Sequence, residues 1–153
     1  MKRFAWFCMV ALAVLLLGAC AGGVSDSEEA KKNLIAFFDF LNQGQYDEAA
    51  ELYGGSYEIL VEFNPALDSE DRPILLKNGC EINGLQCLTV LTTDFKGTNA
   101  DGDYVLIVQF KDADGELFVQ QALNAPPVFT FEYRVQKTPK GNFVVLDLPV
   151  YLP

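Results

Sequence analysis

Histidine is missing from all 153 residues, so any chemistry this chain performs must do without an imidazole. Cysteine is sparse as well: there are four, and no C-x-x-C pair, which excludes the usual dithiol oxidoreductase motif. Zinc calls for closer-spaced cysteine pairs and further ligands, and the lack of histidine removes the commonest partner. Basic residues are outnumbered 11 to 21 by acidic ones, a balance that repels nucleic acid phosphates. No low-complexity tract, internal repeat or catalytic motif stands out. The turns "NADGDY" and "KDADGE" invite a calcium reading. With Gly102 or Gly115 at loop position six, however, position one falls on Gly97 or Phe110 and position twelve on Val108 or Gln121, so the required carboxylates are lacking. Both segments read as hairpin turns.

The chain starts with Lys2 and Arg3, continues as an apolar run from Phe4 to Leu17, and leaves it through Gly18 and Ala19 to Cys20. A basic start, a greasy middle and small residues at the exit are the parts of a secretory leader. The run is shorter than the roughly 20 residues a spanning helix needs. Extending it through Ala21 would approach a span, but the charges that flank one are missing. Leu17-Gly18-Ala19-Cys20 resembles the lipobox of bacterial lipoproteins. That resemblance implies diacylglyceryl transfer to the Cys20 thiol, cleavage before it, and acylation of the new amino terminus, and a soft nucleophile suits thioether formation. An ordinary leader with an incidental cysteine is the rival reading. Ala21 after the cysteine resembles the pattern sorted to the outer membrane in two-membrane cells. The expected organisation is a signal peptide over residues 1–19, a lipidated tether over 20–25 and a domain over 26–153. The cell envelope, on the extracytoplasmic side, is the expected location. Lys2 and Arg3 would leave with the leader, so the mature portion keeps 9 basic residues against 21 acidic ones, a balance of −12.

Outside the cytoplasm, Cys80 and Cys87 in "NGCEINGLQCL" read as a disulfide, with Asn83-Gly84 as the turn between them.

Further along, Ser25 and Glu28 fit a capping box that opens a helix. Ala30, Leu34, Phe37, Phe38 and Leu41 stripe one face of that helix, and Gly44 stops it. A shorter helix carries Tyr46, Ala49, Ala50 and Tyr53 and ends at Gly54-Gly55. "SYEILVEF" fits both strand and helix templates and leans to helix, and a further helix is expected over Ser69 to Gly79. Strands are expected over Leu88 to Phe95, Tyr104 to Lys111, Glu116 to Gln121, Val128 to Gln136 and Phe143 to Leu148. Helices first and strands afterwards predict an α+β fold: an N-terminal helical hairpin packed on a curved antiparallel sheet of four to five strands.

The stretch "IAFFDFLNQGQYDEAAELY", with Gly44, Tyr46 and Ala49 in a Gly-x-Tyr-x-x-Ala pattern, resembles the opening of the nuclear-transport-factor-2-like (SnoaL-like, cystatin-like) superfamily. The resemblance implies a sheet wrapped about the first helix to form a conical pocket. Phe37, Phe38, Tyr46 and Tyr53 are the candidate lining, with simple core packing as the alternative. Enzymes of that superfamily include scytalone dehydratase, whose histidines have no counterpart here, and ketosteroid isomerase, whose carboxylate and oxyanion donors cannot be aligned. If an acid is buried, Asp147, in step with Phe143 and Val145 on a largely apolar strand face, is the candidate; the preferred reading places it near the strand end, solvated or capping a turn. Thr130, Glu132, Arg134 and Gln136 share one face, read as exposed and ion-paired or as a polar pocket wall. These residues favour binding over catalysis, with a small apolar ligand or an envelope protein as partner, the membrane reached through the lipid on Cys20, and no cofactor or metal. A pocket enzyme and a structural or assembly subunit are the alternatives.

Overall fold

A computed structural model describes residues 25–121 and 125–152. The expected leader, Cys20 and most of the tether lie outside the described residues. Within them the fold is α+β: four helices precede a four-stranded antiparallel sheet that does not close on itself.

Helix α1 (Asp26–Asn42) starts where its cap dictates, with the Ser25 hydroxyl accepting from the Glu28 backbone N–H and Asp26, Glu28 and Glu29 in the first turn. Its apolar stripe is wholly buried. The chain leaves α1 through Gly44, whose φ of +73° is a left-handed conformation open to glycine. Helix α2 (Tyr46–Leu52) follows. The ambiguous segment is helical, α3 (Glu58–Phe63), and buries Leu60. Helix α4 (Arg72–Glu81) starts three residues later than expected because the Asp71 side chain, not Ser69, caps it, accepting from the Ile74 N–H. Pro73 sits in its first turn, where a missing N–H costs nothing.

The strands are β1 (Thr89–Thr98), β2 (Tyr104–Lys111), β3 (Phe131–Lys137) and β4 (Phe143–Val145), in the spatial order β1-β2-β3-β4. Inward positions alternate as a pleat requires: Leu106, Val108 and Phe110 from β2, Tyr133 and Val135 from β3, Phe143 and Val145 from β4. Together with the α1 stripe, Ala49, Leu60, Leu75 and Leu76 they form one core. Strand β1 is largely exposed, and its register with β2 shifts between Val90 and Thr92 and again between Phe95 and Gly97. At the other edge, the Gly54 N–H donates to the Val145 carbonyl and Tyr53 bridges Val145, so the chain after α2 covers β4.

Two strand expectations change. The stretch Val128 to Thr130 is not part of β3; Val128 makes a single bridge to Gln120, just after Pro126-Pro127, where the backbone has no N–H to offer. Residues 116–121 likewise pair back on Lys111 only through an isolated bridge at Leu117, Gln120 bridging forward to Val128 instead. Strand β4 ends at Val145, three residues early, because the Asp147 carboxylate takes the place of a ladder carbonyl and accepts the Arg134 backbone N–H at 2.7 Å.

Candidate functional site

Phe37, Phe38, Tyr46 and Tyr53 are the candidate pocket lining, and most of them meet one another in the interior. Phe37 and Phe38 have no exposed surface. Phe38 is surrounded by rings, with centroids 5.3 Å from Phe37, 4.7 Å from Phe110 and 5.0 Å from Tyr133, all edge-on. Phe37 stacks on Tyr53 at 5.7 Å, and the Tyr53 hydroxyl donates to the Ser56 carbonyl at 2.9 Å. Burial pushes the Tyr53 and Tyr133 phenols upward, with the nearby Asp147 charge a smaller contribution to each. These side chains therefore fill the space between α1 and the sheet. Tyr46 lies apart from them, half-buried, donating to Glu81 at 3.2 Å.

Asp147 is not on the apolar face that strand parity assigned to it. The bend after Val145 carries it to Arg134, whose side chain is exposed. Arg134 Nη2 lies 2.6 Å from Asp147 Oδ1, and Nε lies 3.2 Å from both carboxylate oxygens. With the backbone N–H on Oδ2, both oxygens are occupied, which leaves no free lone pair aimed at a substrate. Thr130, Glu132, Arg134 and Gln136 are all exposed, and Glu132 pairs with Lys96 of β1. Among the described residues, no group of three metal-binding side chains forms, and the buried Tyr57 hydroxyl, which has no hydrogen-bond partner, belongs to an open trough shared with Glu58, Glu62 and Glu70 and not to a closed cavity.

The cysteine pair lies at a different corner. Cys80, in the last turn of α4, is disulfide-bonded to Cys87, with Cα atoms 5.6 Å apart. Gly84 makes the turn at φ +87°, and a Cβ there would fall 2.3 Å from the Leu152 carbonyl oxygen. That approach is used: the Leu152 N–H donates to Gly84 O at 3.0 Å, and the Gln86 N–H donates to Val150 O at 2.7 Å. A chain of amides secures the other side. Asn78 Nδ2 donates to Asn64 Oδ1 at 3.0 Å, and Asn64 Nδ2 donates to Asn83 Oδ1 at 2.9 Å and to the Leu60 carbonyl at 2.7 Å. Asn64 is buried and fully engaged, as a buried amide must be.

The clefts bounded by described residues are open troughs. One of about 590 Å³ runs between α3 and the start of α4, lined by Tyr57, Glu58, Glu62, Glu70 and Arg72. The Arg72 guanidinium carbon sits 5.4 Å from the Tyr57 ring centroid, and burial pushes the Tyr57 phenol up to about 12. A second, about 280 Å³, is lined by Phe63, Ile82, Gly84 and Tyr151.

Family models, curated proteins and solved structures offer no match to this chain. Its function must be argued from its own residues. Ile59, Phe63, Ile82 and Tyr151, which sequence patterning passed over, are all more than two-fifths exposed. The signal for the first two was in the sequence: in a helix spanning 58–63, Leu60 turns inward, and Ile59 and Phe63, four apart, share a face turned outward.

Proposed function

We propose that the chain is a lipid-anchored extracytoplasmic lipoprotein whose domain binds another envelope protein, and that it is not an enzyme. The supporting observation is the aromatic interior: Phe37, Phe38, Phe110 and Tyr133 occupy the volume in which a pocket protein of the nuclear-transport-factor-2-like type would hold a small molecule. That family reading remains our proposal for the fold. The three-residue link between α1 and α2 supports the helical hairpin, and the two register shifts in β1 support a curved sheet, since bulges bend strands. The candidate buried acid, Asp147, is tied to Arg134. The lipobox-like Leu17 to Cys20 supports the anchor, and no helix among the described residues is long and apolar enough to cross a membrane.

The test has two parts. Mass spectrometry of the membrane-extracted protein should find an acylated peptide beginning at Cys20, and Cys20→Ala should release the protein or trap its precursor. Native mass spectrometry of the purified domain should give the mass of the polypeptide alone. A retained small apolar molecule would restore the pocket reading, and an unmodified Cys20 in membrane-extracted protein would remove the anchor.

A further inference from the structure

Four large apolar side chains project outward around the disulfide corner. Ile59 and Phe63 do so from α3, Ile82 from the disulfide loop and Tyr151 from the C-terminal segment. Phe63 and Tyr151 lie ring to ring at 5.8 Å, and Ile82, 70% exposed, lines the same trough. An isolated exposed apolar residue needs no explanation, but a contiguous group from three separate segments does.

The scaffold beneath this face is held in more ways than the fold alone requires. The Cys80–Cys87 bond closes the loop that carries Ile82. The Asn64, Asn78 and Asn83 side chains join α3, α4 and that loop. Backbone hydrogen bonds tie residues 150 and 152 to residues 86 and 84. Rigid support lowers the ordering cost of association, which favours a preformed docking surface.

Position and charge select the occupant. The face adjoins the C-terminal end of α1, because Ile82 shares a trough with Leu41 and Asn42 and Asn42 donates to the Cys87 carbonyl. The proposed tether joins α1 at its other end, about 25 Å away along 17 residues. Acidic side chains rim the apolar group: Glu58 and Glu62 lie one step around α3, and Glu81 precedes Ile82. Anionic headgroups would be repelled by such a rim. A two-fold contact with a second copy would set the same glutamates against one another.

We infer that the face formed by Ile59, Phe63, Ile82 and Tyr151 docks a segment of an envelope protein that presents apolar side chains flanked by lysine or arginine. This inference rests on the partner-binding reading above.

The probe is a displayed library of random peptides, panned against the disulfide-intact domain from residue 20 onward. Enriched peptides should carry apolar residues beside lysine or arginine. Their affinity should fall about tenfold or more with Phe63→Ser or Tyr151→Ser, the loss expected of a central anchor. Glu62→Lys should weaken binding, and Val128→Ser, on a separate exposed segment, should leave it unchanged. All four residues are exposed, and each variant is to be checked for an unaltered thermal transition. Peptides without basic residues, or peptides unaffected by Phe63→Ser and Tyr151→Ser, would overturn the inference. So would binding of the unlipidated domain to phosphatidylglycerol vesicles through this face, or a dimer in sedimentation that Phe63→Ser dissolves. Peptides that map to Val128 would overturn the face alone and leave the partner-binding reading standing.

Discussion

Replacing Phe38 by alanine separates a filled interior from a ligand pocket. Phe38 has no exposed surface and touches the rings of Phe37, Phe110 and Tyr133. Removing a fully enclosed phenylalanine costs about 3–5 kcal/mol, as transfer free energy is lost and a cavity is left behind. Three edge-on partners, each worth about 0.5–1.5 kcal/mol beyond buried area, place this site at the upper end of that range. Against a total stability of about 5–15 kcal/mol, the loss is a large fraction of the whole. At about 3–4 °C per kcal/mol for a domain of this size, the melting temperature should fall by roughly 15 °C. Urea titration followed by far-ultraviolet circular dichroism is the suitable assay, because the chain's one tryptophan, Trp6, is in the expected leader. Phe95→Ala is the internal control: Phe95 is 42% exposed on β1, and its loss should cost less than about 1 kcal/mol. If Phe38→Ala costs no more than Phe95→Ala, the ring faces free space and the filled-core argument fails.

Two further outcomes are expected. Replacing Cys80 and Cys87 together by alanine should lower stability by about 2.4 kcal/mol, the chain-entropy value for a loop closed by residues seven apart; an unchanged urea midpoint would refute it. Burial raises the phenols of Tyr53, Tyr57 and Tyr133, so near pH 10 these groups lose protons in the unfolded chain before they do so in the folded one. Stability should therefore decline as pH rises above about 10, and ultraviolet titration should show the Tyr53, Tyr57 and Tyr133 phenols still neutral there. Ionisation of these three near pH 10, with the fold intact, would contradict their burial.

The helical half of the fold was readable because its signals are local. Ser25 and Glu28 mark a start, the Ala30-to-Leu41 stripe marks a face, and Gly44 marks a stop, each within one or two turns. Cys80 and Cys87 were equally plain once a location outside the cytoplasm is expected, since the turn between two otherwise unassigned thiols is local. The β4 end was not readable. Strand parity put Asp147 inward with Phe143 and Val145, and nothing nearby reveals that its carboxylate replaces a carbonyl opposite Arg134, 13 residues earlier. The fate of Phe37 and Phe38 was open for a similar reason. Their spacing names a face, but whether that face meets rings or empty space depends on Phe110 and Tyr133, which belong to strands far along the chain. Ile59 and Phe63 were hidden by the ambiguity of their segment, because strand parity and helical turns orient them differently.

The sheet's two margins bear on how copies of this chain meet one another when crowded. A bare strand border invites a neighbouring molecule to add its own strand, and proteins packed side by side meet often enough for such additions to propagate. Here β1 breaks its hydrogen-bonding rhythm twice and carries Lys96, while β4 is only three residues long and its Val145 carbonyl already accepts from Gly54. Neither margin offers a straight template, so copies held close together can collide without zipping into fibres.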